Sequence, residues 1–405
     1  MSEPASGDDD GATGAPAPSI DPALVRAVEQ ELHRDDIDLT IATPHDYAAV
    51  EEASRGACIA GDVLTPLTAE LISWFVDRNP CGPGFVVIAR PPGERRILGH
   101  FVFYPWTVRL RSPASARGAG GSDATDHAGA VEGVAAESGH SAASQALHEA
   151  TAYIHIRLWV SVELRRRGVF LSMTRFGLEL VRRMGVGLAY TVPNQRSAPG
   201  FLKLGECLAG ELPFWVRPLL PGWAAVAGSS TRGIEVERRE AFDDSFDAAR
   251  DAAMPAAATA WSPRRAALLN WRYPERPDFD YEIRYLHRAG TAVGYLVTRR
   301  MRIKRFRTLA VCDCWTAPGE ERALRAGLDD AARAGERVDV AVAFGGNVAG
   351  TLRTALRAAA FVPCPKPLQP QPVAVIGGGI GDGAQRVELP PFDGWYITPC
   401  DWDVF

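Results

Sequence analysis

The stretch Val162-Glu-Leu-Arg-Arg-Arg-Gly-Val-Phe-Leu-Ser172 is a basic turn with one glycine, and it lies between two segments of regular structure. The residues before it, Tyr153-Ile-His-Ile-Arg-Leu-Trp-Val160, are apolar, β-branched and aromatic, a pattern that predicts a strand. The residues from Ser172 to Met184 follow a helical period that Gly185 ends. The sequence therefore predicts a strand, a glycine-bearing turn and a helix in that order.

A turn of this kind can bind phosphate oxygens. The first turn of a helix has free backbone N–H groups and the positive end of the helix dipole. Gly168 allows the backbone to approach a ligand closely, and Arg165, Arg166 and Arg167 add positive charge. A surface turn with a solvated arginine run explains the same residues, because one glycine is a weaker signal than a complete phosphate-loop motif.

The residues downstream favour the first interpretation. A second strand is predicted at 187–192, and a short helical segment follows it. Here the sequence resembles the GNAT superfamily of N-acyltransferases, which has an Arg/Gln-x-x-Gly-x-Gly/Ala loop between its fourth strand and third helix. That family also has an Asn after its fifth strand and a helix that ends near Lys-x-Gly. Arg165 and Gly168 match the first pattern, whereas Phe170 departs from it at the position of the small residue. The second pattern falls on Asn194, Ser197, Phe201, Lys203 and Gly205.

The resemblance implies an acyl-CoA co-substrate, acetyl-CoA or another acyl-CoA. The sequence has no Cys or His pattern typical of a metal site, so no metal is expected. The resemblance also implies that the pantetheine arm pairs with the fourth strand near Val160 and Val162. The residues that it assigns to the cofactor are Val160, Val162, Arg165, Arg166, Arg167, Gly168, Val169, Phe170, Leu171, Asn194, Ser197 and Phe201. Many family members protonate the leaving thiolate with a Tyr, and Phe201 stands at the matching position.

The implied reaction moves an acyl group to a primary amine, and a base must remove the ammonium proton. The candidates are Glu163, His155 and Tyr153. Glu163 is equally explained as a solvated acid and His155 as a packed histidine, so the sequence leaves the base unassigned. A CoA-binding scaffold without catalysis and an aminoacyltransferase resembling the Fem type are the alternatives.

The order of elements predicts an α/β (α+β) fold with two GNAT-like domains, each a mixed, mostly antiparallel twisted sheet flanked by helices. The predicted boundaries are a disordered tail and helix at 1–35, an acyl-CoA-binding domain at 36–223, a linker at 224–233 and a second domain at 234–405. Within the first domain, 112–146 is rich in Gly, Ala and Ser and is predicted to be a disordered insertion. The run Leu212 to Trp223 is predicted to be the closing strand of the first domain.

The second half repeats the order of elements but lacks the Arg-x-x-Gly pattern. Asp313, Glu320 and Glu321 lie around the predicted turn, where carboxylates repel a pyrophosphate, so this repeat is expected to be degenerate. The glycine-rich run from Gly377 to Gly383 is predicted to be a flexible surface loop, because no helix follows it. The acceptor, a small molecule or a peptide, is expected between the two halves.

Composition excludes several other classes. The 405 residues are 46% hydrophobic and 23% charged, as in globular proteins, and the net charge of −5 gives little support to a nucleic-acid partner. The seven cysteines form no Cys-x-x-Cys pair. The sequence has no long apolar span or leader pattern, so we expect no membrane partner and a cytoplasmic location.

Overall fold

The computed structural model describes residues 20–56, 65–111, 147–220, 231–346, 348, 350–381, 386–387 and 389–403. The predicted disordered tail at 1–18 and the predicted insertion at 112–146 lie outside the described residues. Most of the predicted linker at 224–233 lies outside them as well.

The helices are amphipathic or buried segments with recognisable first turns. Asp21 caps the first helix through its side chain, and Thr68 caps the third in the same way. The helices are α1 (Pro22–Glu31), α2 (Tyr47–Arg55), α3 (Ala69–Val76), α4 (Val169–Arg183), α5 (Ala198–Lys203), α6 (Asp247–Ala252), α7 (Ala266–Arg272), α8 (Ala323–Arg333) and α9 (Thr351–Ala358).

The strands are short at the edges and long in the centre of each half. They are β1 (Asp38–Ile41), β2 (Phe85–Arg90), β3 (Gly99–Arg111), β4 (Leu147–Val160), β5 (Leu188–Thr191), β6 (Cys207–Glu211), β7 (Phe214–Pro218), β8 (Ile234–Arg239), β9 (Ala260–Trp261), β10 (Glu282–Arg288), β11 (Thr291–Ile303), β12 (Phe306–Thr316), β13 (Val340–Phe344), β14 (Val362–Pro363), β15 (Ala374–Gly379) and β16 (Trp395–Tyr396).

The strands form two mixed sheets flanked by helices, as the sequence predicts. The order of the first sheet is β1-β2-β3-β4-β5-β15-β6, and the order of the second is β14-β7-β13-β12-β11-β10-β8. Each sheet contains one parallel pair along this order, β4 with β5 and β12 with β13, and the other neighbours are antiparallel. A helix, α4 or α8, connects the two strands of each parallel pair.

The two sheets exchange one strand each, which corrects two sequence predictions. β7 pairs with β13 and β14 of the second sheet, so the run predicted to close the first domain completes the other one. In return β15 inserts between β5 and β6, and Gly377 to Gly379 pair with β5 as a strand and do not form a loop. The sequence could not assign these strands, because pairing partners more than a hundred residues away leave no local signal. The domain boundaries themselves stay a prediction.

The two halves also share a hydrophobic core. The rings of Trp74 on α3 and Trp271 on α7 stack with centroids 4.1 Å apart, and each indole N–H donates to the other residue's carbonyl oxygen. Both side chains are fully buried. Burial of two large aromatic side chains in direct contact stabilises the docking of the halves.

Candidate functional site

The central parallel pair of the first sheet opens into a cleft. β4 and β5 pair only from Ala152–Leu188 to Ile154–Tyr190, and β4 then continues to Val160 paired with β3 but not with β5. Opposite Phe101 the register of β3 and β4 shifts, and Arg157 has a positive φ of 54°. This is a β-bulge, which bends the strand where it leaves its neighbour.

The basic turn lies directly at the mouth of this cleft. Val162–Leu164 form one short helical turn, and α4 begins at Val169, three residues earlier than the sequence pattern indicates. Gly168 is the N-cap with φ 76°, a left-handed conformation that favours glycine. The N–H groups of Val169, Phe170 and Leu171 open the helix and have no carbonyl one turn earlier to accept from them. The arrangement is suited to bind anionic oxygens.

An arginine that the sequence analysis missed also contacts this turn. Arg34 donates from Nη1 to Ser172 Oγ at 2.9 Å and from Nη2 to the Arg167 carbonyl at 3.0 Å. Asp36 accepts hydrogen bonds from both Arg34 and Arg167, and these contacts, led by Arg34, lower its pKa to about 2. Arg34 follows α1, outside the motif, so only the tertiary structure could reveal it.

The other side of the mouth is formed by the start of α5. Asn194 is exposed, and its Oδ1 accepts from the backbone N–H groups of Arg196 and Ser197 at 2.9 and 3.0 Å. The Phe201 ring is buried, and its centroid lies 5.1 Å from that of Phe170. A Cβ on Gly200 would lie 2.3 Å from the Phe170 ring, so α4 and α5 pack closely here. The structure therefore brings the two halves of the sequence motif together.

His155 and Glu206 form a buried pair beneath Phe201. The His155 Nε2 atom lies 3.4 Å from Glu206 Oε2, and the exposed fractions of the two side chains are 0% and 6%. Neither ring nitrogen nor either carboxylate oxygen has a hydrogen-bond partner among the described residues. Rings of Phe101, Phe103 and Phe201 surround the imidazole. No sequence pattern indicates that Glu206 is a site residue, because its distinctive feature is its contact with the distant His155.

The other candidate residues have different surroundings. Glu163 is half exposed and pairs with Arg96 at 3.0 Å. The Tyr153 hydroxyl is part-buried and donates to the Pro83 carbonyl at 2.8 Å, and burial raises its pKa. Val160 ends β4, whereas Val162 lies in the following turn with its side chain exposed, so it is not part of the strand edge.

The opposite face of the β4 bulge is turned toward the second half. Arg157 donates from Nε to Asp403, from Nη2 to Asp278 at 3.2 Å and from Nη1 to the Thr65 carbonyl at 2.8 Å. His100, opposite Trp159 on β3, is buried with both ring nitrogens unpartnered among the described residues. Burial lowers its pKa to about 4, so the ring is neutral.

The equivalent region of the second half is closed. β12 carries a matching register shift, between Val297 and Thr298 of β11. The residue predicted for its turn, Asp313, instead lies buried inside β12, because the strand continues through Thr316. In the turn itself, the Glu321 carboxylate accepts the Gly319 N–H at 3.0 Å. The residues around the space between β12 and α9 are Cys314, Trp315, Thr316, Leu324, Leu352, Ala355 and Tyr396.

Comparison with solved structures identifies the fold. A GCN5-related N-acetyltransferase from Anabaena variabilis matches 85% of this chain and 73% of its own, with a TM-score of 0.55 and 11% identity. A tandem GNAT protein from the clavulanic acid biosynthesis pathway matches 86% of this chain and 100% of its own, with a TM-score of 0.53 and 12% identity. A probable N-acyltransferase from Enterococcus faecalis matches 85% and 72%, with a TM-score of 0.51 and 11% identity.

These similarities show that the chain has the mixed α/β fold of GNAT N-acyltransferases. More specifically, it has a tandem GNAT-like fold, as the repeated order of elements in the sequence predicts. No protein-family model and no curated protein matches the sequence. Across the parts of the chain that the structure describes, no helix is long and apolar enough to cross a membrane.

Proposed function

We propose that this protein is an N-acyltransferase that moves an acyl group, most simply acetyl, from acyl-CoA to a primary amine. One observation carries the proposal: the Arg165-to-Gly168 turn, with Gly168 left-handed at the N-terminus of α4, stands at the mouth of the β4–β5 cleft. The free N–H groups and the helix dipole are suited to a pyrophosphate. In the equivalent turn of the second half, the Glu321 carboxylate accepts a backbone N–H and would repel a pyrophosphate. We therefore expect one CoA per chain.

The proposed chemistry is direct attack. The amine nitrogen bonds to the thioester carbonyl carbon, the carbon–sulfur bond breaks, and the ammonium proton passes to a base. The edge of β4 that faces β5 is unpaired beyond Ile154 and is suited to hold the pantetheine arm, and an N–H on this strand would polarise the thioester carbonyl. Most of the rate enhancement would come from alignment of the two reactants, which contributes up to about 7–11 kcal/mol in ideal cases.

The amine would enter from the face that carries Arg157 and His100, which the second half covers. His155 lies on the other face, with α4 and α5, and its ring packs against Phe201. The base is therefore sought among His100, His155 and water. Phe201 has no proton to give to the leaving thiolate, so water or another group would supply it.

A CoA-binding protein without catalysis is the second candidate. It is favoured by the burial of Phe201 and by the close packing of Phe170 on Gly200. The two candidates agree on cofactor binding and differ on turnover. Release of free thiol from acetyl-CoA in the presence of a panel of amines distinguishes them.

The binding step is tested by calorimetry with acetyl-CoA on Gly168→Val, with Gly185→Val as the matched control. Both glycines have nearly the same φ, 76° and 78°, and they lie at opposite ends of α4. Each substitution strains the backbone by roughly 1–2 kcal/mol. We expect only Gly168→Val to abolish binding. Equal affinities for the two variants, or no binding by the unsubstituted protein, would refute the assignment.

A further inference from the structure

Six charged side chains, all buried except for the partly buried Arg299, form a cluster between the two halves. The group extends from the β4 bulge to β11 of the second half. It comprises four guanidinium groups and two carboxylates, contributed by Arg157, Arg272, Arg276, Arg299, Asp278 and Asp403. The positive charges outnumber the negative ones, which is costly for groups removed from water.

Both carboxylates already form ion pairs with guanidinium groups of the cluster. Asp278 accepts from Arg276 Nε at 2.6 Å, from Arg157 Nη2 at 3.2 Å and from the Thr65 hydroxyl at 2.6 Å. Asp403 pairs with Arg157 and Arg276. The two carboxylates therefore leave the charge of Arg299 without a direct partner among the described acids.

The next carboxylates along the interface are engaged elsewhere. Asp313 accepts from Tyr295 and Thr398, and it also pairs with Arg264. Asp401 accepts from two nitrogens of Arg264. These contacts leave no free carboxylate beside the cluster in the described part of the interface.

Three guanidinium nitrogens of the cluster have no hydrogen-bond partner among the residues that the structure describes. They are the Nη1 atoms of Arg272, Arg276 and Arg299, and each is buried. Arg272 uses its other nitrogens on the carbonyls of Cys400 and Trp402, at 3.1 and 2.7 Å. A buried N–H donor without an acceptor costs about 1–3 kcal/mol, and more when the group is charged.

The three arginines are neighbours. Burial raises the pKa of the Cys312 thiol to about 12, and the charges of Arg272, Arg299 and Arg276 all oppose this rise. The Arg299 guanidinium lies 3.2 Å from the centroid of the Phe279 ring, with Arg276 4.5 Å from the same centroid. The three arginines thus lie in one region, where positive charges outnumber the two carboxylates.

We propose that this arginine cluster binds an oxyanion group, a carboxylate or a phosphate monoester, that belongs to the amine acceptor. Only the statement that the oxyanion belongs to the amine acceptor rests on the proposed function. The oxyanion site itself is inferred from the charges of the cluster. A guanidinium group presents paired N–H donors that match either oxyanion. Asp278 and Arg157 link the cluster to the β4 bulge, so an oxyanion held here would place an attached amine toward the cleft.

Calorimetry with matched probe pairs tests the site. The pairs are propionate with propionamide, and ethyl phosphate with ethanol; acetate and inorganic phosphate are the minimal probes. We expect each preferred anionic probe to bind at least tenfold more tightly than its neutral partner. The carboxylate and phosphate pairs decide which oxyanion the site prefers.

Arg299→Gln tests the assignment to the cluster, because Arg299 is only partly buried and its loss is the least disruptive. Arg302→Gln is the control, since Arg302 lies on the same strand and is exposed. Arg299→Gln should reduce the preference for the anionic probe at least fivefold and leave binding of the neutral partner unchanged. Thermal denaturation confirms that both variants fold.

Three results would overturn the proposal: equal binding of charged and neutral partners, equal effects of the two substitutions, or no binding of any anionic probe. The failure of the proposed function has a different signature. In that case acetyl-CoA does not bind or no thiol is released, while the discrimination between charged and neutral probes persists.

Discussion

Arg157 donates a hydrogen bond from its Nε to the carboxylate of Asp403, although 246 residues separate the two in the chain. Arg157 is the bulge residue of β4, and Asp403 follows the last described strand of the second half. The residue that bends β4 beside the cleft is therefore bound by the second half of the protein.

Asp403→Asn should destabilise the protein by about 3–5 kcal/mol, because Arg157 and Arg276 would lose a buried counter-charge. Chemical denaturation measures the change, with Asp393→Asn as the control at an exposed site. The arginines lower the pKa of Asp403 below its ordinary 3.8, although burial alone would raise it. Its stabilisation is thus present above about pH 4 and is lost as the pH falls further. Equal stability of the two variants would contradict the role of this ion pair.

Arg34→Gln should weaken binding of acetyl-CoA about tenfold, which corresponds to about 1.4 kcal/mol. The reason is that Arg34 holds the Arg167 carbonyl and the Ser172 hydroxyl beside the N-terminus of α4. Arg26→Gln, on the exposed face of α1, is the control. Calorimetry at several salt concentrations should show a shallower salt dependence for Arg34→Gln alone. An unchanged affinity would separate Arg34 from the cofactor site.

His100→Gln should flatten the dependence of stability on pH. Burial lowers the pKa of His100 from 6.5 to about 4 in the folded protein. The unfolded chain therefore takes up this proton first, and stability is lost as the pH falls from about 6.5 toward 4. The loss attributable to His100 amounts to up to about 3 kcal/mol. Denaturation curves across this range measure it, and identical pH profiles for the variant and the unsubstituted protein would disprove the effect.

The same variant separates the two histidines in catalysis. Because His100 lies on the proposed acceptor face, His100→Gln should reduce kcat at least tenfold without changing the affinity for acetyl-CoA. His155→Gln should act mainly on that affinity, because His155 packs under Phe201 with α4 and α5. The reverse pattern would assign the acceptor to the other face of the sheet.

Cleavage of the chain between β7 and β8 should leave the two fragments associated. β7 remains in the second sheet and β15 in the first, so separation would break the main-chain pairing of both. A protease site introduced at 224–230 and size-exclusion chromatography test this. The first fragment expressed alone should be insoluble, since β5 and β6 would lose the strand between them. A soluble, folded first fragment would contradict this dependence.

The sequence predicts those helices, strands and turns that are determined by neighbouring residues. The Arg165-to-Gly168 turn needs a glycine at a left-handed position and a helix after it, and both can be read from neighbouring residues. The tandem fold followed from the repeated order of elements. Asp313 was misplaced because the run Cys312-x-Cys314 continues the strand further than the expected turn allows.

The contacts that specify the site depend on distant residues. Arg34, Glu206 and Asp403 are unremarkable in the sequence, since each becomes significant only through a partner brought near by the fold. The pairing of the exchanged strands β7 and β15 also depends on distant residues. Short apolar strands with glycines fit either sheet by pattern, and only the pairing decides between them.

The position of β15 also has a consequence for biosynthesis. Translation delivers β5 and β6 long before Ala374–Gly379, so the first sheet is incomplete while most of the second half is still being made. Pairing over such sequence separations is slow, because loop closure precedes the stabilising contacts. The cleft of the first half therefore acquires its final shape only after synthesis of the second half, and a nascent chain that stalls between them presents two unpaired strand edges that chaperones can bind.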